Sequence, residues 1–390
     1  MMDRRRISIL GVTGSIGAST VSVIESLGAD QFDVVAVTGN ANVEGLADAA
    51  RRLRAQVAVT ADPQGLAPLR AALAGSGVDA AAGENALVEA ASRPADWVMS
   101  AIVGAAGLAP TLAAARTGAT VALANKECLV AAGPVFLSEI ARSGARLLPV
   151  DSEHNALFQL TAAERECPIE RLILTASGGP FRDRSLAEMA GVTVAQAVAH
   201  PNWSMGARIS IDSATMFNKA LEMVEASHLF PVVPDQIEVL IHPQSIIHSM
   251  VGFCDGSILA HLGPPDMRVA IGHALNWPAR RDLPVERLDF ARLARLDFRA
   301  PDTDRFPALR LAREAMASGG VAPCVMNGAH EVALDAFIGG EIGFLDMANL
   351  VAETMERLDG LDEASDLEGI LAVDADARRV GQELVRRFAA

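Results

Sequence analysis

Tyrosine is absent from this chain, and aromatic residues of all kinds reach only 4%. No tyrosine hydroxyl can serve as acid, base or nucleophile, which removes one large class of dehydrogenase chemistry. Cysteine is scarce too: Cys128, Cys167, Cys254 and Cys324 lie far apart with no CxxC pair. That spacing argues against a disulfide framework and a thiolate metal site, and the simplest expectation is reduced thiols in the cytoplasm. No uncharged apolar run approaches the roughly 18 residues of a membrane span. Arg4, Arg5 and Arg6 are followed by glycines and a helical pattern, not by the apolar core and cleavage site of a signal peptide. Basic residues are in deficit, 33 against 48 acidic ones, and a net charge of -15 repels a phosphate backbone. Neither a membrane nor a nucleic acid is expected as a partner.

What is present is ordinary globular composition, 51% apolar and 21% charged over 390 residues, enough for two or three compact domains. Through residues 1–150, short aliphatic runs alternate with Ala-rich amphipathic stretches, with strands expected at 6–10, 33–38, 56–60, 96–103, 119–124 and 145–150. Strands spaced by helices imply a parallel sheet covered on both faces, a Rossmann-like dinucleotide-binding domain. Residues 151–285 read as a central α+β catalytic domain, in which RLILTASGG, ARISID and IEVLIHPQSIIHSMVGF have strand character. Residues 286–307 read as a linker, and 308–390 as a C-terminal helical domain.

Residues 11–17, GVTGSIG, stand at the first strand-to-helix junction. Glycines there let backbone approach a pyrophosphate, and the helix start supplies free N–H groups; the bland alternative is a tight turn. The second strand ends without the carboxylate that grips an adenosine ribose, which permits NADP without demanding it. Asp151 and Glu153, two apart in VDSEHN, read as a pair on one face of a strand end. Like charges so close call for a cation or a raised pKa, unless they are simply solvated. In SATMFNKALE, Ser213 is a candidate helix cap, while Asn218, Lys219 and Glu222 edge one helix face, as an ordinary surface Lys–Glu pair would also do. Three carboxylates without cysteine or an obligatory histidine suit Mg²⁺ or Mn²⁺. HPNWSMGAR, with Trp203, Met205 and Gly206, fits either a lid or a loop whose Trp packs into a core.

These motifs together (GVTGSIG, ANKE, VDSEHNALFQ, SGGPFR, HPNWSMG, SATMFNKALE and IHPQSIIHSM) resemble, in order and spacing, the 1-deoxy-D-xylulose 5-phosphate reductoisomerase family over essentially the whole chain. The resemblance implies an NADPH- and divalent-metal-dependent oxidoreductase. It would isomerise and reduce 1-deoxy-D-xylulose 5-phosphate to 2-C-methyl-D-erythritol 4-phosphate in non-mevalonate isoprenoid synthesis, as a homodimer. It implies Asp151, Glu153 and Glu222 as metal ligands, and Lys126, Glu153 and His200 as the catalytic residues. Lys126, Ser152, Glu153 and Glu222 would meet the reacting end of the sugar phosphate; Ser177, His200, Ser213, Asn218 and Lys219 would meet its phosphate. Thr13, Gly14, Ser15, Ile16, Asn40, Ala41, Asn42, Asn125, Glu127 and Gly206 would line NADPH. The chain departs from the family pattern at Val12, at Ala41, where Lys or Arg is frequent, at Ala220 for Gly, and at His330 for Asn. Two rivals remain: a metal-dependent NADP dehydrogenase of another phosphorylated sugar, and a non-catalytic NADP-binding regulator.

Overall fold

The computed structural model describes residues 4–163, 168–203, 205–361 and 363–388; Cys167 lies outside them. The chain divides into two compact units that are not consecutive in sequence. The first comprises residues up to Cys128, Phe136–Asn155 and Asp266–Glu286; the second comprises Leu129–Val135, Ala156–Pro265 and Arg287 onward.

In the first unit, β1 (Arg5–Leu10), β2 (Phe32–Gly39), β3 (Val57–Thr60), β4 (Asp79–Ala82), β5 (Trp97–Ser100), β6 (Thr120–Leu123) and β7 (Arg146–Pro149) form one sheet in the order β4-β3-β2-β1-β5-β6-β7. Every pairing in it is parallel. β3 and β5 are buried along their whole length, as expected of strands covered on both faces. The six expected strands are present. β4, with sequence DAAA, was not anticipated, because alanine has little β propensity and β4 is an edge strand held by its neighbour β3. Strand order reverses direction at β1, between β2 and β5, and that reversal is where open α/β sheets form a ligand crevice.

Helix Met267–Asn276 returns to this unit, although the sequence reading grouped it with the catalytic segment. Its buried face of Ala270, Ile271, Ala274 and Leu275 packs on helix Ser15–Leu27, and the Trp97 indole donates to the Ala274 carbonyl at 3.1 Å. An amphipathic pattern announces a helix but not which surface it will cover.

The second unit holds a mixed sheet, β11-β10-β8-β9, built from β8 (Ile169–Ala176), β9 (Ile237–Ile241), β10 (Ile247–Phe253) and β11 (Ile258–Leu262). Helices Ala308–Ser318, Ala322–Ile338, Asp346–Arg357 and Leu367–Phe388 make the C-terminal region helical, as expected. Their apolar faces share one core with the sheet: Leu172, Leu174, Phe217, Met326 and Leu350 belong to the same buried cluster.

Two local expectations were wrong. ARISID lies in helix Ala207–Thr215, not in a strand: Ile209 and Ile211 alternate as in a strand, but Gly206 opens a helix whose buried face is Ser210, Ile211, Ala214 and Thr215. VDSEHN is not a pleated strand end either, since β7 stops at Pro149 and a helix begins at Ser152.

Candidate functional site

The site residues are built in two groups, one on each unit. In the first unit, Gly11 adopts φ +89°, and a Cβ there would lie 2.4 Å from the Ala101 carbonyl oxygen; a Cβ on Gly17 would lie 2.3 Å from the Gly11 oxygen. Those glycines are demanded by close approach of backbone to backbone. Gly14, Ser15 and Asn40, Ala41 and Asn42 at the end of β2 are exposed, with Thr13 and Ile16 half-buried. The N-cap Gly14 offers no side chain, and no acid stands in the first turn of helix Ser15–Leu27. Its leading N–H groups and positive dipole end therefore meet no carboxylate from their own turn. Asn42 also has a structural task, since its Oδ1 accepts from the Gly45 N–H at 2.9 Å and caps the next helix.

Asn125 is buried among backbone: its amide donates to the Gly104 oxygen at 2.9 Å and accepts from Cys128 N–H at 3.0 Å. Glu127 accepts from the Gly104 N–H at 3.3 Å. Both residues brace the loop after β5, which faces the glycine turn through Ala101.

The acid pair sits at the mouth of the same unit. Asp151 accepts from the Glu153 N–H at 3.2 Å through its side chain and from the Asn155 N–H at 2.8 Å through its carbonyl, so it opens helix Ser152–Ala163. Carboxylate oxygens of Asp151 and Glu153 come within 4.8 Å of one another. Lys126 places its ammonium 2.5 Å from Asp151 Oδ2 with both side chains largely buried, and the Ser152 hydroxyl donates to Glu153. A helix start, not a pleat, brings the two acids together, and the positive end of that helix suits them.

In the second unit, β8 ends at Ala176 and the turn Ser177, Gly178, Gly179 follows with φ of +79° and +66° at the glycines. A Cβ on Gly179 would lie 2.6 Å from the Ser213 carbonyl oxygen. Only glycine lets the Ser177 turn reach the helix end that bears Ser213. His200 Nδ1 accepts from the Asn202 and Trp203 N–H groups at 3.2 and 2.9 Å, and its Nε2 lies 2.8 Å from Ser177 Oγ. Those two acceptor bonds assign the hydrogen to Nε2, which donates to Ser177. Burial, then the Arg182 charge, push the His200 pKa down to about 4, so the ring is neutral near pH 7.

Helices Ala207–Thr215 and Phe217–Leu229 meet at Met216, whose φ of +65° makes an elbow. Past the elbow, Glu222 is fully buried and accepts from both the Lys219 ammonium and the Asn218 amide. Trp203 is half-buried, 6.2 Å from the His248 ring, and Asn202 donates to the Ser245 hydroxyl at 3.3 Å. His248 was not singled out by sequence reasoning. Burial, the neighbouring His261 and the Lys219 charge lower its pKa to about 4, which places it beside this grip. The second histidine of IHPQSIIHSM was the available signal. Gly206 is exposed and caps helix Ala207–Thr215 through backbone alone.

A glycine-turned parallel sheet and a cluster of serine, lysine, asparagine and neutral histidine around a buried acid define an α/β oxidoreductase class with a dinucleotide site. The family model described as 1-deoxy-D-xylulose 5-phosphate reductoisomerase matches residues 7–133, its C-terminal-domain model matches 147–230, and a DXP reductoisomerase C-terminal domain model matches 262–380. The chain belongs to the 1-deoxy-D-xylulose 5-phosphate reductoisomerase family. It is 61% identical over 384 residues to the family's protein from Rhizobium meliloti (strain 1021), across 98% of either chain. It is 58% identical over 388 residues to that of Ruegeria pomeroyi, again across 98% of each. Among solved structures it is similar to the Zymomonas mobilis enzyme in complex with NADPH, at 53% identity and TM-score 0.91 over 98% of this chain and 99% of that one. It is also similar to a DOX-P reductoisomerase in complex with NADPH, fosmidomycin and magnesium, at 41% identity and TM-score 0.93 over 98% of both chains.

Proposed function

We propose that this protein converts 1-deoxy-D-xylulose 5-phosphate to 2-C-methyl-D-erythritol 4-phosphate, an isomerisation followed by reduction, using NADPH and a divalent ion. The observation that carries the reading is a family match through both units, at 61% identity, in a chain that carries Asp151, Glu153, Glu222, Lys126 and Lys219 in its motifs. The solved relatives were captured with NADPH, fosmidomycin and magnesium, ligands of the kinds this chemistry requires.

Asp151, Glu153 and Glu222 fit a hard cation: all are carboxylates, and Asp151 and Glu222 each have a lysine ammonium beside them to balance their charge. When bound, the ion polarises the substrate's carbonyl and hydroxyl oxygens, and NADPH supplies the hydride. Mg²⁺ and Mn²⁺ both suit this donor set. The cofactor fits the exposed, uncapped helix start at Gly14, in the turn that Gly11 and Gly17 let pack tightly; Thr13, Ser15, Ile16, Asn40, Ala41, Asn42, Asn125, Glu127 and Gly206 complete the proposed contacts.

The chain's own groups then divide the work. Lys219 and Asn218 turn toward the phosphate as charge and amide donor, joined by the Ser177 and Ser213 hydroxyls. Neutral His200 donates from Nε2 while its Nδ1 fastens the loop of Trp203, so the phosphate's binding free energy helps hold the loop down and exclude water. Lys126 and Ser152 face the reacting oxygens and donate to charge as it develops.

Residues 1–150 with 266–286 form the NADPH-binding part in this reading. The protein is read as a homodimer, supported by the exposed Ile258 and Leu259 on the edge strand β11. It is read as cytoplasmic, supported by Cys128, Cys254 and Cys324, which form no disulfide among the described residues; no helix among them is long and apolar enough to cross a membrane.

The test is NADPH consumption with 1-deoxy-D-xylulose 5-phosphate against a panel of other sugar phosphates, with and without divalent metal. Turnover confined to the deoxyxylulose phosphate and lost with chelator is expected. Comparable turnover of another sugar phosphate would replace this reading with a broader dehydrogenase.

A further inference from the structure

Helix Ala322–Ile338 carries a buried imidazole that the chemistry above does not use. His330 is 2% exposed, and its Nε2 lies 2.9 Å from Oδ1 of Asp212, itself 14% exposed. Its ring lies 4.4 Å from the Phe217 ring with the planes inclined by only 30°. Close as they are, the two lack hydrogen-bond geometry: among the described residues neither ring nitrogen of His330 nor Oδ1 of Asp212 has a hydrogen-bond partner. The ring's closest charged neighbour among them is the Asp212 carboxylate.

The two residues it touches stand on opposite arms of the Met216 elbow. Asp212 immediately precedes Ser213 on helix Ala207–Thr215, and Phe217 immediately precedes Asn218 and Lys219 on the next helix. Met216 itself is buried in a left-handed conformation at φ +65°, which a side chain adopts only when its surroundings impose it. A ring that only filled space would be better apolar, since burying a polar imidazole costs solvation that one carboxylate contact must offset. The ring has a positional use instead: it abuts the Asp212 carboxylate on one arm while its face seats Phe217 on the other.

We infer that His330 is a positioning residue which, through Asp212 and Phe217, sets the angle of the elbow and so aims Ser213, Asn218 and Lys219 at the substrate phosphate. The inference rests on the proposed phosphate role of those three residues. A small rotation about Met216 is magnified at the tips of Asn218 and Lys219, and misplacement by about 1 Å at a binding group can cost up to about 100-fold.

The experiment uses the full-length enzyme with saturating NADPH and Mg²⁺. His330→Phe keeps the ring on Phe217 and removes the polar contact; Asp212→Asn keeps shape and removes the charge. Each is expected to raise KM for the sugar phosphate about tenfold, and to raise by the same factor the inhibition constant of inorganic phosphate, used as the probe of the phosphate subsite. The KM for NADPH should stay unchanged and kcat should change much less than KM. The double variant should be no worse than either single, because both remove one contact. Ser213→Ala separates the two ideas. If it raises KM and the phosphate inhibition constant while His330→Phe and Asp212→Asn do not, the positioning role is wrong. If Ser213→Ala also leaves both constants unchanged, the phosphate reading itself has failed and takes the inference with it. Should His330→Phe fail to fold by circular dichroism, an unchanged KM in Asp212→Asn overturns the inference alone. Parallel losses in kcat and in the NADPH KM would mean general loosening, and would overturn it too.

Discussion

Lys219 and Glu222 offer the sharpest quantitative test of the second unit. Their side chains are 3% and 1% exposed, and the Lys219 ammonium donates to Glu222 Oε2. Two charges so fully removed from water are tolerable as a pair, because each cancels much of the other's desolvation cost. Lys219→Met removes the cation and leaves a buried carboxylate that still accepts from the Asn218 amide. Breaking a buried pair from one side costs about 3–5 kcal/mol, and the residual amide bond puts Lys219→Met at about 3. Glu222→Gln keeps shape and takes the carboxylate away from the buried ammonium, at a similar cost. The double variant Lys219→Met/Glu222→Gln carries neither charge of the pair and should recover to within about 1 kcal/mol of the parent, a coupling of several kcal/mol. Urea unfolding of all four proteins without divalent metal, followed by tryptophan fluorescence and circular dichroism, supplies the numbers. A second arm adds Mg²⁺ to Lys219→Met: a cation reaching Glu222 at 100 times its dissociation constant would return about 2.7 kcal/mol. Single variants that both lose less than about 1 kcal/mol would show that water reaches the pair, and would remove the electrostatic basis for a metal ligand at Glu222.

Gly179→Ala should cost at least about 1–2 kcal/mol from its left-handed backbone alone and raise KM for the sugar phosphate, because the new Cβ meets the Ser213 oxygen at 2.6 Å; normal KM and melting temperature would refute the close approach. His200 has a folded pKa of about 4, below its ordinary 6.5, so the folded state binds the proton less readily than the unfolded chain. Its contribution to stability is full above pH 6.5 and declines as pH falls from 6.5 toward 4; an NMR titration midpoint near 6.5 would contradict the buried, neutral ring. Trp203→Ala should lower kcat/KM more than about tenfold with little change in melting temperature, since a loop residue is not core; a loss of about 3–5 kcal/mol would make it core instead. Ala41→Arg, at the exposed end of β2, should lower KM for NADPH and leave NADH unaffected, and an unmoved NADPH constant would show that this turn does not face the 2′-phosphate.

Much of the fold was legible because contrast in hydrophobicity is a local property. The strands around β1, β2, β5 and β6 carry aliphatic runs between turns, and helix Ser15–Leu27 follows its glycines directly. Legibility failed where that contrast vanished. In DAAA, and in helices Leu66–Ala72 and Glu84–Ala91, alanine is small, mildly apolar and tolerated in either structure, so no period stands out. ARISID failed for the opposite reason, since Ile209 and Ile211 alternate as a strand would while the helix's buried face is made with Ser210, Ala214 and Thr215, which are small and weakly apolar.

For the site, sequence determined the inventory: which acids, lysines and serines exist, in which motifs, and that no tyrosine or thiolate chemistry competes with them. Tertiary structure decided the company each one keeps. Lys126 meets Asp151 across 25 residues, Ser177 meets His200 across 23, and His330 meets Asp212 from a helix more than a hundred residues downstream. None of these pairings leaves a periodic trace in the chain, because each is made by the packing of whole strands and helices, which is set by the sum of many apolar contacts and not by the polar residues it brings together. The lowered pKa of His200 belongs to the same category: the imidazole is written in the sequence, but the burial and the Arg182 charge that hold it neutral exist only once the chain has folded.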